Sequence, residues 1–225
     1  MEFYVQKAVM KLGVKIIFPV IYGIDNTKVS EEWLDIRKEK ITALYEKYKE
    51  LDVHTDPILE GFNILHDKAG VKRRKNIPAS ENLIKQLVKK QDLPLINQAV
   101  DIYNLISIES KLALGAHNID NTEGNVTLRF TNGTEKYQPL GQSEPTLSLA
   151  GEYSYCDDAN EVLCRLEIRQ VLKTLVDEST KNVFYIVQGN AETPDELLQN
   201  TAAEIIDITT KYCGGKGKII IPKII

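Results

Sequence analysis

Two spacings of apolar side chains alternate along this chain, and each change of spacing predicts a change of element. Residues 13–23, GVKIIFPVIYG, are dense in β-branched and aromatic side chains and predict a strand, or a bent pair broken at Pro19. Helical spacing follows, with Trp33, Ile36, Ile41, Leu44, Tyr45 and Tyr48 behind Ser30, a residue suited to cap a helix. The same logic gives a helix with Asp56 as cap, Pro57 in its first turn and Gly70 as its stop. Ser80 predicts the cap of a short helix, SENLIKQLVKK. A further helix starts near Pro94, where Leu95, Ala99, Ile102 and Ile106 form one stripe. That stretch is expected to end in a turn carrying Gly115, His117, Asn118 and Asp120.

After Asp120 the period becomes two. NVTLRFTNGTEKYQPLG predicts a hairpin turning at Asn132-Gly133, and GEYSYCDD with EVLCRL predicts a second pair. TKNVFYIVQGN predicts another strand. Thr193-Pro194-Asp195-Glu196 reads as a capping box that opens a helix to about Cys213, and the tail KGKIIIPKII reads as an edge strand or a docked segment. Helices first, then a block of strands, then a helix, predict an α+β fold rather than a doubly wound parallel sheet. One compact unit is expected over residues 1–225, with 1–50 as an N-terminal extension and 214–225 as a tail.

Composition narrows the class. Hydrophobic residues at 43% and charged residues at 27% match globular usage and argue against disorder or coiled coil. A net charge of -4 gives no whole-molecule pull toward nucleic acid, but residues 68–90 hold eight Lys or Arg against Glu81 alone. That run could meet phosphate or be a solvated face. No apolar run approaches a bilayer span, and MEFYVQKAVMKLG lacks a secretory signal, so no membrane partner and a cytoplasmic location are expected. Cys156, Cys164 and Cys213 lack the spacing of a zinc site and read as buried thiols, with a nucleophilic role the weaker alternative.

The signatures of phosphate-binding loops, dinucleotide folds, serine-hydrolase elbows and zinc proteases are missing. His54 and His66 read as ordinary surface or helix histidines. His117 differs by its company, with Gly115 permitting close backbone approach and Asn104, Glu109 and Asp120 nearby in sequence. Arg129, Arg165 and Arg169 suit phosphate or carboxylate, or else intramolecular pairing with Glu152, Asp157 or Glu167.

VDIYNLISIESKLALGAHNID, followed in order by TLRF, GTEKYQPLG, GEYSYCDD, VLCR and TKNVFYIVQG, resembles the tRNA-editing module of the phenylalanyl-tRNA synthetase beta subunit, made of its third and fourth B regions. It resembles free-standing proteins of that module more closely, over residues 50–213. The resemblance implies an α+β fold with one central sheet and a deacylase acting in trans on a mischarged tRNA, without metal or cofactor. It leaves association with a synthetase open. It implies that His117 and Asn104 orient water or the carbonyl, that Gly115 shapes the pocket, and that Glu109 or Asp120 holds the substrate ammonium. Arg129, Arg165 or Arg169 would lie near the terminal phosphates, with Lys72, Arg73, Arg74 and Lys75 on the tRNA. Where the synthetase carries a pocket glutamate, this chain has Ile186, which points to a different amino acid or to binding without hydrolysis. The alternatives are a non-catalytic RNA-binding module and an amino-acid-binding protein that kept the pocket.

Overall fold

The computed structural model describes residues 1–225. The first half runs β1 (Phe3–Val5), α1 (Lys7–Met10), β2 (Lys15–Tyr22), α2 (Glu31–Tyr48), α3 (Pro57–Lys68), α4 (Ala79–Lys90) and α5 (Gln98–Ser110). The strand block is β3 (Ala113–Asn118), β4 (Val126–Phe130), β5 (Lys136–Tyr137), β6 (Thr146–Leu147), β7 (Tyr153–Asp157), β8 (Val162–Arg165), β9 (Arg169–Gln170) and β10 (Asn182–Gly189). α6 (Asp195–Cys213), β11 (Lys216–Ile220) and β12 (Lys223–Ile224) close the chain.

The α+β class is as expected, but the strands divide between two main sheets rather than one. One sheet has the order β11-β2-β10-β3 and the other β12-β1-β4-β7-β8-β9. Period-two alternation explains why two cores result. Ile17 and Ile21 of β2, with Val183, Tyr185 and Val187 of β10, face a core shared with α2, α4, α5 and α6. Ile16, Phe18 and Val20, with Phe184 and Ile186, face the opposite core, which they share with β1, β4, β7 and β8. There Phe3 stacks on Phe18 at 4.2 Å between ring centroids. Each such buried side chain contributes roughly 1.5–3 kcal/mol, so both faces of the four-stranded sheet are fixed strongly.

Several helix starts follow local chemistry. Trp33 N–H donates to Ser30 Oγ at 3.1 Å, and the amides of Ile58 and Leu59 donate to Asp56 Oδ1 at 3.0 and 3.3 Å. Others depart from the sequence reading. α4 begins at Ala79 after Pro78, leaving Ser80 inside the helix. α5 begins at Gln98 with Asn97 as its cap, so Leu95 and Ile96 precede it and are exposed. α6 has no side-chain cap, because Thr193 Oγ1 instead accepts from Asn190 N–H at 3.0 Å.

Two strand expectations are corrected as well, and the stretch at 13–23 takes the first of its two readings. β2 is one continuous strand, and its paired positions on the β10 side skip Phe18 and Pro19, where proline supplies no donor. The Asn132-Gly133 turn does not make a hairpin, since β4 pairs with β1 and β7. Glu135 folds back there, accepting the amides of Asn132 and Gly133. The segment of Gly115 and His117 is not a turn but the buried strand β3, entered through Lys111 at φ 64°.

Candidate active site

β3 and β9 are the outer strands of their sheets, and between them lies an inner chamber of about 200 Å³. Ala113, Gly115 and Ile186 line it from the four-stranded sheet, and Cys164, Glu167 and Gln170 from the β8–β9 turn region. Asn82 and Leu83 of α4 and Tyr103 and Asn104 of α5 close the remaining sides. Most of the wall is apolar. This volume is below the roughly 300–1,000 Å³ of drug-sized sites and suits a group the size of one amino acid.

The chamber adjoins an outer cleft of about 400 Å³, and Asn82, Leu140, Ile168 and Gln170 line both. Arg74, Lys75 and Arg169 also line the cleft. None of these three cations has a carboxylate within 4 Å, so their charge is free to meet an anion. Arg165 supports this mouth from behind. Its guanidinium grips Glu152 through Nε and Nη2 and donates through Nη1 to Asn76 Oδ1 at 2.9 Å, while Asn76 Nδ2 donates to Lys72 O.

His117 lies one layer behind the wall, fully buried and stacked on Phe184 at 5.0 Å. Its Nδ1 is 2.8 Å from Thr174 Oγ1, and its Nε2 has no hydrogen-bond partner. Burial pushes this imidazole down to about 3, which keeps it neutral. A Cβ at Gly115 would lie 2.7 Å from Gln170 Nε2 and 3.8 Å from His117 Nε2. Glycine therefore leaves the gap in which the amide and the imidazole edge approach each other.

Of the residues singled out in the sequence, Asn104 and Gly115 line the chamber, and Arg74, Lys75 and Arg169 line the cleft. The others lie elsewhere. Glu109 pairs with Lys40 at 2.7 Å, and Asp120 accepts from Asn182 Nδ2 at 2.9 Å. Arg129 donates to Glu135 and to Asn160. Arg73 is held by Glu60 and Asp67, and Lys72 is exposed outside both cavities.

The sequence reading missed the acid of the chamber. Glu167 stood there only as an ion-pair partner for an arginine, yet Arg165 takes Glu152 instead. Glu167 is 5% exposed and accepts hydrogen bonds from His66 Nε2 and Tyr153 Oη. His66 is thus a buried partner rather than an ordinary helix histidine. Burial alone would pull its pKa down, but Glu167 outweighs that and holds it above the usual value. Cys164 also lines the chamber, and burial pushes its thiol up, so it stays protonated and is a poor nucleophile.

The site is thus a sheet-edge chamber behind a cationic mouth on a small α+β fold. The chain belongs to the B3/4 domain family, whose sequence profile matches residues 68–209. It is 29% identical over 133 residues to the phenylalanine–tRNA ligase beta subunit of Fusobacterium nucleatum, covering 58% of this chain and 16% of that protein. It is 25% identical over 140 residues to the beta subunit of Mycoplasma genitalium, covering 60% of this chain and 17% of that protein. The chain thus spans about a sixth of the length of these curated relatives. Its fold matches the crystal structure of an N-terminal fragment of the phenylalanyl-tRNA synthetase beta subunit from Pyrococcus horikoshii, with a TM-score of 0.50 and 13% identity. That match covers 100% of this chain and 51% of the fragment chain.

Proposed function

We propose that this protein is a tRNA-associated hydrolase that removes a wrongly esterified amino acid in trans. One observation carries the reading: a mostly apolar chamber of amino-acid size opens directly into a cleft bearing three unpaired cations. The aminoacyl group would occupy the chamber while Arg74, Lys75 and Arg169 meet the phosphates of the tRNA end. The names of the two curated relatives, both phenylalanine–tRNA ligase beta subunits, support a tRNA partner, and with it an association with a synthetase.

The chemistry demanded is modest. Water adds to the ester carbonyl, the bond to the ribose oxygen breaks, and the free amino acid leaves while the ribose hydroxyl regains a proton. Binding alone separates amino acids differing by a methylene by only about 10 to 200-fold, so a second, hydrolytic site has a purpose. Asn104 lines the chamber and can orient the carbonyl or the water. A His117 imidazole at about 3 is too weak a base to take a proton readily near neutrality, so from behind the wall it would act only through its unpartnered Nε2, by way of the gap at Gly115.

That same weakness favours one competing reading, an RNA-binding module without catalysis. Incubating the protein with a panel of mischarged tRNAs separates the two. Ester loss for at least one amino acid is the expected result. Retention of every charged tRNA with no ester loss would leave only the binding module.

A further inference from the structure

We infer that Glu167 is the anion that takes the α-ammonium of the esterified amino acid, and that the chamber selects amino acids with apolar side chains. This rests on the aminoacyl-ester reading above. Glu109 and Asp120, the acids nearest His117 in sequence, do not reach the chamber. Glu167 is the only acidic residue in its wall.

Its surroundings fix the carboxylate without exhausting it. A carboxylate accepts about four hydrogen bonds through its two oxygens. His66 donates to Oε1, and Tyr153 and Gln188 reach Oε2, the latter at 3.4 Å. Gln188 is itself held by the Tyr155 hydroxyl. Three of the four sites are taken from the protein side, which leaves acceptor capacity on Oε1 for a cation in the chamber. The count holds for protonated His66 and for its neutral tautomer with the proton on Nε2, the one that a facing carboxylate favours.

The backbone that aims this side chain is itself unusual. Leu166, fully buried, has φ 52°, a left-handed conformation that costs a bulky residue of order 1–2 kcal/mol. Leu166 N–H donates to Tyr153 O and Ile168 N–H to Arg165 O, which hold the turn. The turn sets Glu167 and Ile168 on the chamber between Arg165, which braces the mouth, and Arg169, which lines it. One short connection therefore presents an anion inward and a cation outward. An aminoacyl ester on a nucleic acid carries the matching order, ammonium first and phosphates after. Leu83, Ala113, Leu114, Leu140, Ile168 and Ile186 give most of the remaining wall to hydrocarbon, beside the polar groups of Asn82, Tyr103, Asn104 and Gln170.

The test compares ordinary aminoacyl-tRNAs with the same tRNAs N-acetylated on the amino acid, which replaces the ammonium by a neutral and larger amide. Each rate is therefore read against spontaneous loss of the same ester, and the glutamine variant separates lost charge from added bulk. For wild-type protein, acetylation is expected to lower kcat/KM roughly 10- to 100-fold, and substrates with apolar side chains to be the ones hydrolysed. Glu167→Gln is expected to lower the rate on the free-amine substrate to that on the acetylated one, with unfolding temperature checking the fold. Equal rates on both substrates by the wild-type protein would overturn the assignment and leave the hydrolase reading standing. So would a Glu167→Gln variant that still discriminates. Hydrolysis confined to polar amino acids would overturn the selectivity. If no aminoacyl-tRNA is hydrolysed, the assignment falls together with the hydrolase reading.

Discussion

Gly115 and Ile186 are direct partners across the antiparallel β3–β10 pair, and both open onto the chamber. The pairing sets what the floor can recognise. On one side there is no side chain, which admits the Gln170 amide, and on the other there is a branched hydrocarbon. A carboxylate at position 186 would offer a hydroxyl acceptor to the bound side chain, whereas isoleucine offers only apolar contact.

Adding one carbon at Gly115 tests that arrangement. In Gly115→Ala the new Cβ would sit 2.7 Å from Gln170 Nε2, so the amide must move into the chamber. Its far end is flexible, so the fold is expected to survive within about 1 kcal/mol. Single-turnover deacylation is expected to fall at least about 10-fold, given the sensitivity of such sites to displacements near 1 Å. An unchanged rate would show that the chamber does not hold the reacting group.

Charge reversal at the mouth is expected to be position-specific. Arg74→Glu and Arg169→Glu remove free cations from the cleft and should weaken tRNA affinity while reducing the slope of log affinity against log salt by about one per lost phosphate contact. Arg73→Glu disrupts pairs with Glu60 and Asp67, so its effect should fall on stability rather than on the salt slope. Titrations at several salt concentrations check this, and a slope that responds equally to all three variants would contradict it.

The His117→Ala variant should lose deacylation and also some stability. The side chain is fully buried and stacked on Phe184, so its removal leaves a void and an unpaired Thr174 hydroxyl, costing about 1–3 kcal/mol. The unfolding temperature should drop by several degrees with near-native circular dichroism. Full activity in this variant would remove His117 from the mechanism.

Two buried histidines give stability opposite dependences on pH. His117 has a folded pKa of about 3 against about 6.5 unfolded, so its contribution is complete above pH 6.5. Below that the unfolded chain binds the extra proton, and stability falls by about 1.4 kcal/mol per pH unit toward pH 3. His66 has its folded pKa raised, so its pairing with Glu167 contributes fully below the unfolded value and is lost as pH rises through the folded one. Urea unfolding between pH 4 and 9 should show the acid slope flatten in His117→Gln and the alkaline loss disappear in His66→Gln.

Local chemistry made much of the framework readable. Ser30 and Asp56 cap the helices they precede because their oxygens reach amides two or three residues on, a relation contained in the spacing alone. The β7–β8 pair is equally local, turning through Asn160 at φ 60°. Asn132-Gly133 carried the same kind of signal and yet made no hairpin, because β4 found β1 and β7, which bury Val126 and Leu128. Ser80 lost its capping role to the chain direction set at Pro78.

Taken alone, the order of residues determined the α+β class, the strand and helix periods and the basic run, and it singled out the stretch from Asn104 to His117. Those features depend on neighbours within a few positions, where spacing and side-chain type are enough. The tertiary structure decided that the second half of this stretch, from Ala113, is an edge strand, which cations stand free, and that the acid of the chamber is Glu167. His66 and Glu167 are 101 residues apart, and no local rule links them. They meet because two sheets and a helix must bury their apolar faces together, and that shared burial, rather than any motif, brings charge to one place.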